Sequence, residues 1–334
     1  MLVDFAPDVG ASPLEVEAAA VRAEQAGYDG FGAPETRHDV FGTLTLAARA
    51  TSRITLQSAI AVAFARNPMT LAVQANDLQL ISGGRFQLGL GSQVKPHIER
   101  RFAMPWSRPA ARMEEFIAAV RAIWQAWGSG DRLMFRGDFY AHTLMTDFFN
   151  PGPNPYGNPE IFLAAVGDLM TAVAARVADG LMVHPLMTEQ YLRERTVPAV
   201  RAARGELDGF TLVLPALVVL GADEQARRVA EQAIRGQIAF YASTPAYRAV
   251  LDLHGWGGLG ERLTAMSRRR AWAEMAAEIG DDVLDAFAVA GDAAAVAAGL
   301  RSRYADIIDR ISLYTPYDAD PAQLAAVTAA LRTR

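Results

Sequence analysis

Four ionisable side chains follow segments that we interpret as buried β-strands, and each has the chemistry of a general acid or base. Glu35 and His38 follow the second predicted strand, His97 follows the fourth, and His184 directly follows the sixth. Carboxyl and imidazole groups are the usual proton carriers of enzymes. Polar surface loops also hold such groups without any function, and a single histidine after a strand can simply line a pocket. Both interpretations stay open at this point.

A second set of residues could bind a phosphate group. Gly91, Ser92 and Gln93 follow the fourth predicted strand, and Gly167 and Asp168 begin a helix directly after the fifth. The free N–H groups at a helix N-terminus bind anions. Small residues at a strand end also permit an ordinary tight turn, and an aspartate at a helix start can be a simple N-cap.

The sequence lacks the patterns that are typical of several common catalytic and metal sites. The chain has no cysteine, which excludes thiolate nucleophiles, disulfides and cysteine-ligated metals. The 5 histidines form no HExxH pattern, so we predict no metal site. The sequence contains no GxSxG segment, so a serine hydrolase is not predicted. It also has no GxGxxG segment that opens a helix after a strand, which is the fingerprint of dinucleotide binding.

The net charge and the hydropathy of the chain limit the kinds of partner that it can bind. The net charge of −5 argues against a nucleic-acid-binding surface, which is normally basic. The longest apolar stretch, 212–220, is interrupted by Pro215 and is too short to cross a bilayer. The first ten residues have neither a basic start nor an apolar signal core. We therefore expect a cytoplasmic protein that acts on a small molecule, away from membranes.

Strand-like and helix-like segments alternate along the whole chain of 334 residues. This alternation predicts a parallel sheet with helical crossovers, and eight repeats favour a closed (β/α)₈ TIM barrel over an open sheet. We predict one domain over 1–334. The predicted strands are 2–5, 29–33, 54–59, 86–90, 161–166, 181–183, 210–220 and 310–314.

Two segments interrupt the alternation. The first, about 131–159, follows the fourth main helix and is rich in aromatic residues, glycine and proline. The second, about 243–284, lies between the seventh and eighth strands and contains a glycine cluster at 255–260. Both are too long for ordinary connections, so we interpret them as insertions that shape a pocket or act as a lid.

Five segments together resemble the luciferase-like monooxygenase superfamily, particularly its oxidoreductases that depend on the deazaflavin coenzyme F420. Their order and spacing match the predicted barrel, and they lie within about residues 15–185. The segments are Ala26–Phe31, Ile54–Ala59, Ser82–Ser92 (with the pattern S-x-GR-x-x-L-G-x-G), Arg112–Glu115 (R-x-x-E) and Phe162–Gly167.

The resemblance implies a bacterial-luciferase-like barrel and a set of cofactor positions. It implies that the Ser58–Ala59 bond is a non-prolyl cis peptide that supports the flavin-type ring, and that Glu35 and Thr36 lie near this ring. The remaining implied contacts concern the ribityl chain and its phosphate, and they fall on Gly91, Ser92, Gln93, Gly167 and Asp168.

The sequence departs from one branch of this superfamily. In the sugar-phosphate dehydrogenases, an Asp-His pair would occupy positions 35–36 and a glutamate would lie near 94, where this chain has Glu35, Thr36 and Val94. Oxidation of glucose 6-phosphate is therefore not expected. Asp168 also conflicts with a neighbouring phosphate unless its side chain turns away, because like charges repel.

The resemblance implies hydride transfer between carbon 5 of the deazaflavin and a small or medium organic substrate. Glu35, His38, His97 or His184 would supply the proton. One alternative is an FMN-dependent monooxygenase of the same fold, and another is a paralogue that binds the cofactor without catalysis. A homodimer is also implied by the resemblance alone.

Overall fold

Residues 1–332 are described by the computed structural model, and their strands and helices alternate as predicted. The strands are β1 (Leu2–Phe5), β2 (Gly30–Ala33), β3 (Thr55–Ser58), β4 (Ala61–Val62), β5 (Phe86–Gly91), β6 (Phe135–Arg136), β7 (Ala141–His142), β8 (Glu160–Ala165), β9 (Gly180–Val183), β10 (Thr211–Val219), β11 (Ala288–Ala290) and β12 (Arg310–Tyr314).

Some α-helices lie between the barrel strands, whereas others belong to the insertions. They are α1 (Pro13–Gln25), α2 (Val40–Ala50), α3 (Pro68–Ser82), α4 (Lys95–Arg100), α5 (Pro109–Ser129), α6 (Asp168–Val177), α7 (Glu189–Tyr191), α8 (Val197–Arg204), α9 (Glu224–Ala242), α10 (Arg248–Leu253), α11 (Gly257–Arg268), α12 (Trp272–Met275), α13 (Asp281–Phe287), α14 (Ala293–Tyr304) and α15 (Pro321–Arg332).

Eight strands close a parallel barrel in the order β1, β2, β3, β5, β8, β9, β10 and β12. Closure comes from β1, which pairs in parallel with both β2 and β12. The predicted TIM barrel is thus confirmed. The outward faces of the strands pack against the helices in one large apolar core. Because all eight strands are parallel, their carboxyl ends open at one mouth of the barrel.

Local signals in the sequence explain where several helices begin and end. Ser12 caps α1, and the Glu15 carboxylate accepts a hydrogen bond from the Ser12 backbone N–H, which completes a capping box. Asn67 caps α3, which ends at Gly83 with φ +68°. A left-handed C-cap suits glycine, which has no Cβ to clash. These four residues place the helices before any packing is considered.

An ion pair joins the first and last strands inside the barrel. The Arg310 Nη2 donates to Asp4 Oδ1 at 2.6 Å, Nε donates to Oδ2 at 2.9 Å, and both side chains are less than one-tenth exposed. Gly30 makes the space: a Cβ there would lie 2.3 Å from Asp4 Oδ1. The barrel interior at the level of this ion pair is therefore polar, and the pair requires a residue without a side chain at position 30.

The first predicted insertion contains a hairpin of β6 and β7, which the R-x-x-E segment fastens to the barrel. The carboxylate of Glu115 accepts bonds from the backbone N–H groups of Asp138, Phe139 and Tyr140 at 2.7–2.8 Å. Arg112 Nε donates to the Tyr140 hydroxyl at 2.8 Å. Both polar residues of this segment thus hold a loop in place.

The helix that precedes the second insertion reaches the mouth of the barrel. Tyr241, near the end of α9, contacts His184 and Tyr314, which lie at the carboxyl ends of β9 and β12. Since α9 also starts above the end of β10, it lies across the mouth, and α14 is the helix that returns to β12.

Loss of one partner of the Asp4–Arg310 pair should destabilise the barrel strongly. We expect Arg310→Met to lower the free energy of unfolding by about 3–5 kcal/mol, because the Asp4 carboxylate then stays buried without its partner. The double variant Asp4→Leu/Arg310→Met should recover most of this loss. Urea unfolding of the three proteins measures both effects, and a double variant as unstable as the single one would contradict this explanation.

Candidate active site at the barrel mouth

One wall of the mouth, formed by β2, β3 and β5, consists of small residues. Gly32 and Gly89 face inward, where a Cβ on Gly32 would lie 3.3 Å from the Ala59 Cβ. On Gly89 it would lie only 1.9 Å from the Ser58 carbonyl oxygen. Gly89 is therefore required by packing. Ala164 of β8 extends the wall and packs on the inner cluster of the barrel. The space beside Gly89 is taken by other residues, since the new Cβ would also lie 2.7 Å from the Met182 Sδ.

The cis peptide in this wall is Ala59–Ile60, one residue beyond the predicted Ser58–Ala59 bond. Ser58 still belongs to the strand ladder: its Oγ donates to the Gly89 carbonyl at 2.8 Å and accepts from the Gly89 N–H at 2.9 Å. The Ala59 N–H donates to the Ala33 carbonyl at 2.8 Å. Regular pairing thus continues through the Ala59 nitrogen, and the bulge comes after it.

Glu35 is held in an ion pair, which argues against its predicted role as the acid or base. Arg66 donates to both carboxylate oxygens at 2.6 and 2.7 Å, and the Val62 N–H donates to Oε2 at 2.6 Å. The side chains of Glu35 and Arg66 are only 9% and 11% exposed. Three donors thus engage the two oxygens of this carboxylate. Glu35 therefore fixes the loop after β2 to the segment after β3.

The other residues predicted after β2 lie at the rim. Thr36 Oγ1 donates to the Val9 carbonyl at 2.5 Å, so its hydroxyl joins two loops. The His38 side chain is exposed and lies close enough to Glu15 to lower the pKa of that carboxyl, after the larger effect of its bonds to Ser12. His97 lies on α4 and is also exposed. Exposure leaves both imidazoles in water, unlike His184.

The loop after β5 is tightly folded. Gly91 ends the strand, and a Cβ there would lie 2.7 Å from the Ile60 Cδ1. Ser92 Oγ donates to the Gln93 carbonyl at 3.0 Å, and Gln93 has φ +60°, which is uncommon for a residue with a side chain. The three predicted residues thus stand beside the cis bulge and hold a defined backbone conformation.

The N-terminus of α6 is open toward solvent. Gly167 is its N-cap, and no side chain caps the helix. Asp168 is the first helical residue and not the N-cap, and it is exposed. A Cβ on Gly167 would meet nothing within 4 Å. The first backbone N–H groups are therefore free to bind an anion.

Of the three predicted histidines, His184 is the one that is shielded from solvent at the mouth, whereas His38 and His97 are exposed. Burial lowers the pKa of its imidazole from 6.5 to about 4. Its Nδ1 accepts the Leu186 N–H at 3.1 Å, which leaves the proton of the neutral ring on Nε2. The imidazole stacks on the Tyr247 ring with 4.2 Å between the ring centroids, and it packs edge-on against the Tyr241 ring with 4.6 Å between the centroids. His184 thus offers a neutral N–H donor near neutral pH.

Three tyrosines that sequence reasoning missed complete this second wall. Tyr241 and Tyr314 bond through their hydroxyls at 3.1 Å, and Tyr247 covers His184. Burial raises the pKa of all three phenols. Tyr314 ends the eighth predicted strand, and strand alternation could have placed it on the inward face. No local signal in the sequence places Tyr241 here, because its partner Tyr314 belongs to a distant segment of the chain.

The family is now identifiable from the whole chain. The sequence profile described as luciferase-like monooxygenase matches residues 3–310. The chain belongs to this family. Among the described residues, 1–332, no cluster of three or more metal-binding side chains occurs, and no helix there is long and apolar enough to span a membrane.

Curated relatives of the chain span nearly its full length. An uncharacterized protein of Mycobacterium tuberculosis is 48% identical over 298 residues, which are 88% of this chain and 87% of the relative. A 5,10-methylenetetrahydromethanopterin reductase of Archaeoglobus fulgidus is 26% identical and aligns over 86% of this chain and 85% of its own.

Solved structures of low sequence identity share the fold. The coenzyme F420-dependent tetrahydromethanopterin reductase of Methanopyrus kandleri has a TM-score of 0.78 at 20% identity, covering 98% of this chain and 96% of its own. An F420-dependent secondary alcohol dehydrogenase with an F420-acetone adduct has 0.76 at 15% identity, covering 99% of each. The monooxygenase RslO1 of Streptomyces bottropensis has 0.67 at 21%, covering 99% and 97%.

The buried state of His184 should be visible in its titration. We expect nuclear magnetic resonance to give its imidazole a pKa of about 4, against 6.5 for an ordinary histidine. The unfolded chain then binds more protons between these values, so folding stability falls as the pH drops from 6.5 toward 4. His184→Gln should remove about 3 kcal/mol of this pH dependence.

The assignment of that signal uses the same variant, His184→Gln, in which one of the five histidine resonances disappears. His38→Gln is the matched control for the assignment, because the same substitution at the rim should remove a different resonance and leave that of His184 in place. A normal titration near pH 6.5 for His184 would contradict the buried, neutral state.

Proposed function

We propose that the protein is a coenzyme F420-dependent oxidoreductase that transfers a hydride between the deazaflavin and a small organic substrate. The observation that supports it most is the contrast between the two walls of one mouth. Small residues and the Ala59–Ile60 bulge form the wall of β2, β3 and β5. His184 and the tyrosines form the opposite wall, at β9 and β12. A flat ring and a polar substrate each find one suitable surface.

The residues present fit the cofactor. The planar ring would lie along the wall of β2, β3 and β5, where Gly32, Ala59 and Gly89 carry no large side chain. The uncapped N-terminus of α6 would hold the phosphate through backbone N–H groups, with Gly167 leaving the approach open. Gly91, Ser92 and Gln93 would follow the chain between ring and phosphate. When bound, the reduced deazaflavin supplies a hydride from its carbon 5.

The chain's own contribution is to orient the substrate, exclude water and supply a proton. His184 presents an Nε2–H donor that stays neutral at physiological pH, because burial has lowered the pKa of the ring. The tyrosine hydroxyls beside it are also protonated, since burial raises the pKa of each phenol. Helix α9 and the helices of the second insertion would cover the mouth and limit the access of water.

An FMN-dependent monooxygenase is the second candidate, supported by family membership and by the shared fold of RslO1. Both cofactors have a similar ring and a phosphate-bearing chain. The deazaflavin has carbon at position 5, so it transfers hydride and reacts poorly with oxygen. Relatives and structural neighbours that act on methylenetetrahydromethanopterin or on secondary alcohols favour the deazaflavin.

Spectral titration of the purified protein distinguishes these candidates. We expect F420 to bind with a saturable change in its absorbance and FMN to bind more weakly. Consumption of oxygen with reduced FMN and substrate would instead support the monooxygenase. Tight F420 binding without turnover of any alcohol or ketone would favour a cofactor-binding paralogue, and failure of both cofactors to bind would refute the proposal.

Gly167→Ala tests the phosphate position without disturbing the fold. Its backbone, with φ −91° and ψ 160°, suits alanine, and the new Cβ would meet nothing within 4 Å. Thermal stability should therefore stay unchanged, whereas F420 affinity should fall roughly tenfold, about 1.4 kcal/mol, because the methyl group obstructs the amides. Gly128→Ala, also free of contacts within 4 Å, is the control and should leave the affinity unchanged.

A further inference from the structure

Tyr314 stands where a substrate would meet the wall of β9 and β12. Side chains alternate along β12, and Arg310 faces inward because it pairs with Asp4 inside the barrel. Tyr314, four residues later at the carboxyl end of the strand, therefore lies on the inward face at the mouth. Its ring is partly buried, so its hydroxyl can contact a ligand inside the mouth.

The hydroxyl of Tyr314 forms a hydrogen bond with the hydroxyl of Tyr241 at 3.1 Å, in which either oxygen could be the donor. The Gln237 side chain also bonds to the Tyr241 hydroxyl. The bond between the two phenols uses one of their two hydroxyl protons, and the other remains to donate elsewhere. Because Tyr314 lies on the inward face of β12, its hydroxyl is the one that a ligand in the mouth would meet.

The side chains around the Tyr241–Tyr314 hydroxyl pair are uncharged near neutral pH. His184 reaches it from the end of β9 and Tyr247 from the short helix 245–247, and Gln237 belongs to α9 itself. Burial keeps His184 deprotonated and the phenols protonated. A carboxylate or phosphate would find no opposite charge among them, and a buried ion without one is costly. This surface therefore suits a neutral acceptor.

We propose that Tyr314 donates its hydroxyl proton to the oxygen of a neutral ketone or aldehyde, with Tyr241 and His184 as positioning residues. The proposal rests on the proposed function, which it deepens by naming a substrate class and a proton donor. A neutral carbonyl oxygen can accept the free O–H of Tyr314 and the Nε2–H of His184, whose Nδ1 is already occupied by the Leu186 N–H.

The chemistry balances with groups already named. The hydride would come from carbon 5 of the reduced deazaflavin, whose C–H bond breaks as the cofactor is oxidised by two electrons. It forms a C–H bond at the carbonyl carbon, and the electron pair of the C=O π bond moves to oxygen. That oxygen takes the proton of Tyr314 and becomes a hydroxyl, so the substrate is reduced to an alcohol. The phenolate left behind accepts the hydrogen bond of Tyr241 and regains a proton from water. In the reverse direction, the same residue removes the proton of a secondary or primary alcohol.

Infrared spectroscopy of the cofactor-free protein tests the hydrogen bond directly. The probes are acetone, cyclohexanone and acetophenone, each with a ¹³C-labelled carbonyl, and the readout is the C=O stretching frequency of the bound ketone. We expect a shift to lower frequency in the wild type that is lost in Tyr314→Phe and reduced in Tyr241→Phe. Tyr156→Phe is the matched control, because Tyr156 lies exposed in the loop before β8.

Kinetics with F420 supply the second readout. In Tyr314→Phe, kcat for the best of these ketones should fall on the order of 100-fold or more, with a smaller change in KM, as expected for loss of a general acid. Thermal unfolding of each variant confirms that it folds. Wild-type frequency shifts that persist in Tyr314→Phe, no shift with any of the three ketones, or preferential binding of benzoate or phosphate would each overturn the proposal.

These outcomes separate the two proposals. F420 binding without a Tyr314-dependent carbonyl shift would overturn only the proton donor and the substrate class. A Tyr314-dependent shift in a protein that binds no F420 would overturn the proposed cofactor and leave the carbonyl-binding site supported.

Discussion

The buried ion pair between Asp4 and Arg310 is the contact on which the geometry of the mouth depends. It joins the first and last strands of the barrel, which are separated by 306 positions in the chain. The same pairing sets the register of β12, and so the height at which Tyr314 emerges beside Tyr241. Charges buried this way are costly unless paired, so this register differs sharply in energy from a shifted one.

Missing side chains matter as much as contacts at this site. Gly30 gives the ion pair its space, and Gly89 lets the strand pass the Ser58 carbonyl. Above them, small residues line one side of the mouth. Large aromatic residues on the other side exclude water from polar atoms and hold His184 and the tyrosines neutral. One barrel thus has two chemically different walls.

Family features have separate structural and chemical roles in this chain. The R-x-x-E segment fastens a hairpin through Arg112 and Glu115, and Glu35 is engaged by Arg66. Both carboxylates are engaged by these donors. We propose that neutral groups on the opposite wall carry the proton instead, which would let this member act without the acid and base of the sugar-phosphate branch.

The sequence by itself determined the barrel, the ends of helices such as α1 and α3, and the loops that surround the mouth. These depend on alternation, capping residues and glycines, which act over a few residues of chain. Only the tertiary structure decided which polar groups remain free there. It engaged Glu35, left His38 and His97 in water, moved the cis bond to Ala59–Ile60 and carried α9 across the mouth. Those outcomes depend on contacts between distant segments, such as Tyr241 with Tyr314, and no local pattern in the chain encodes them.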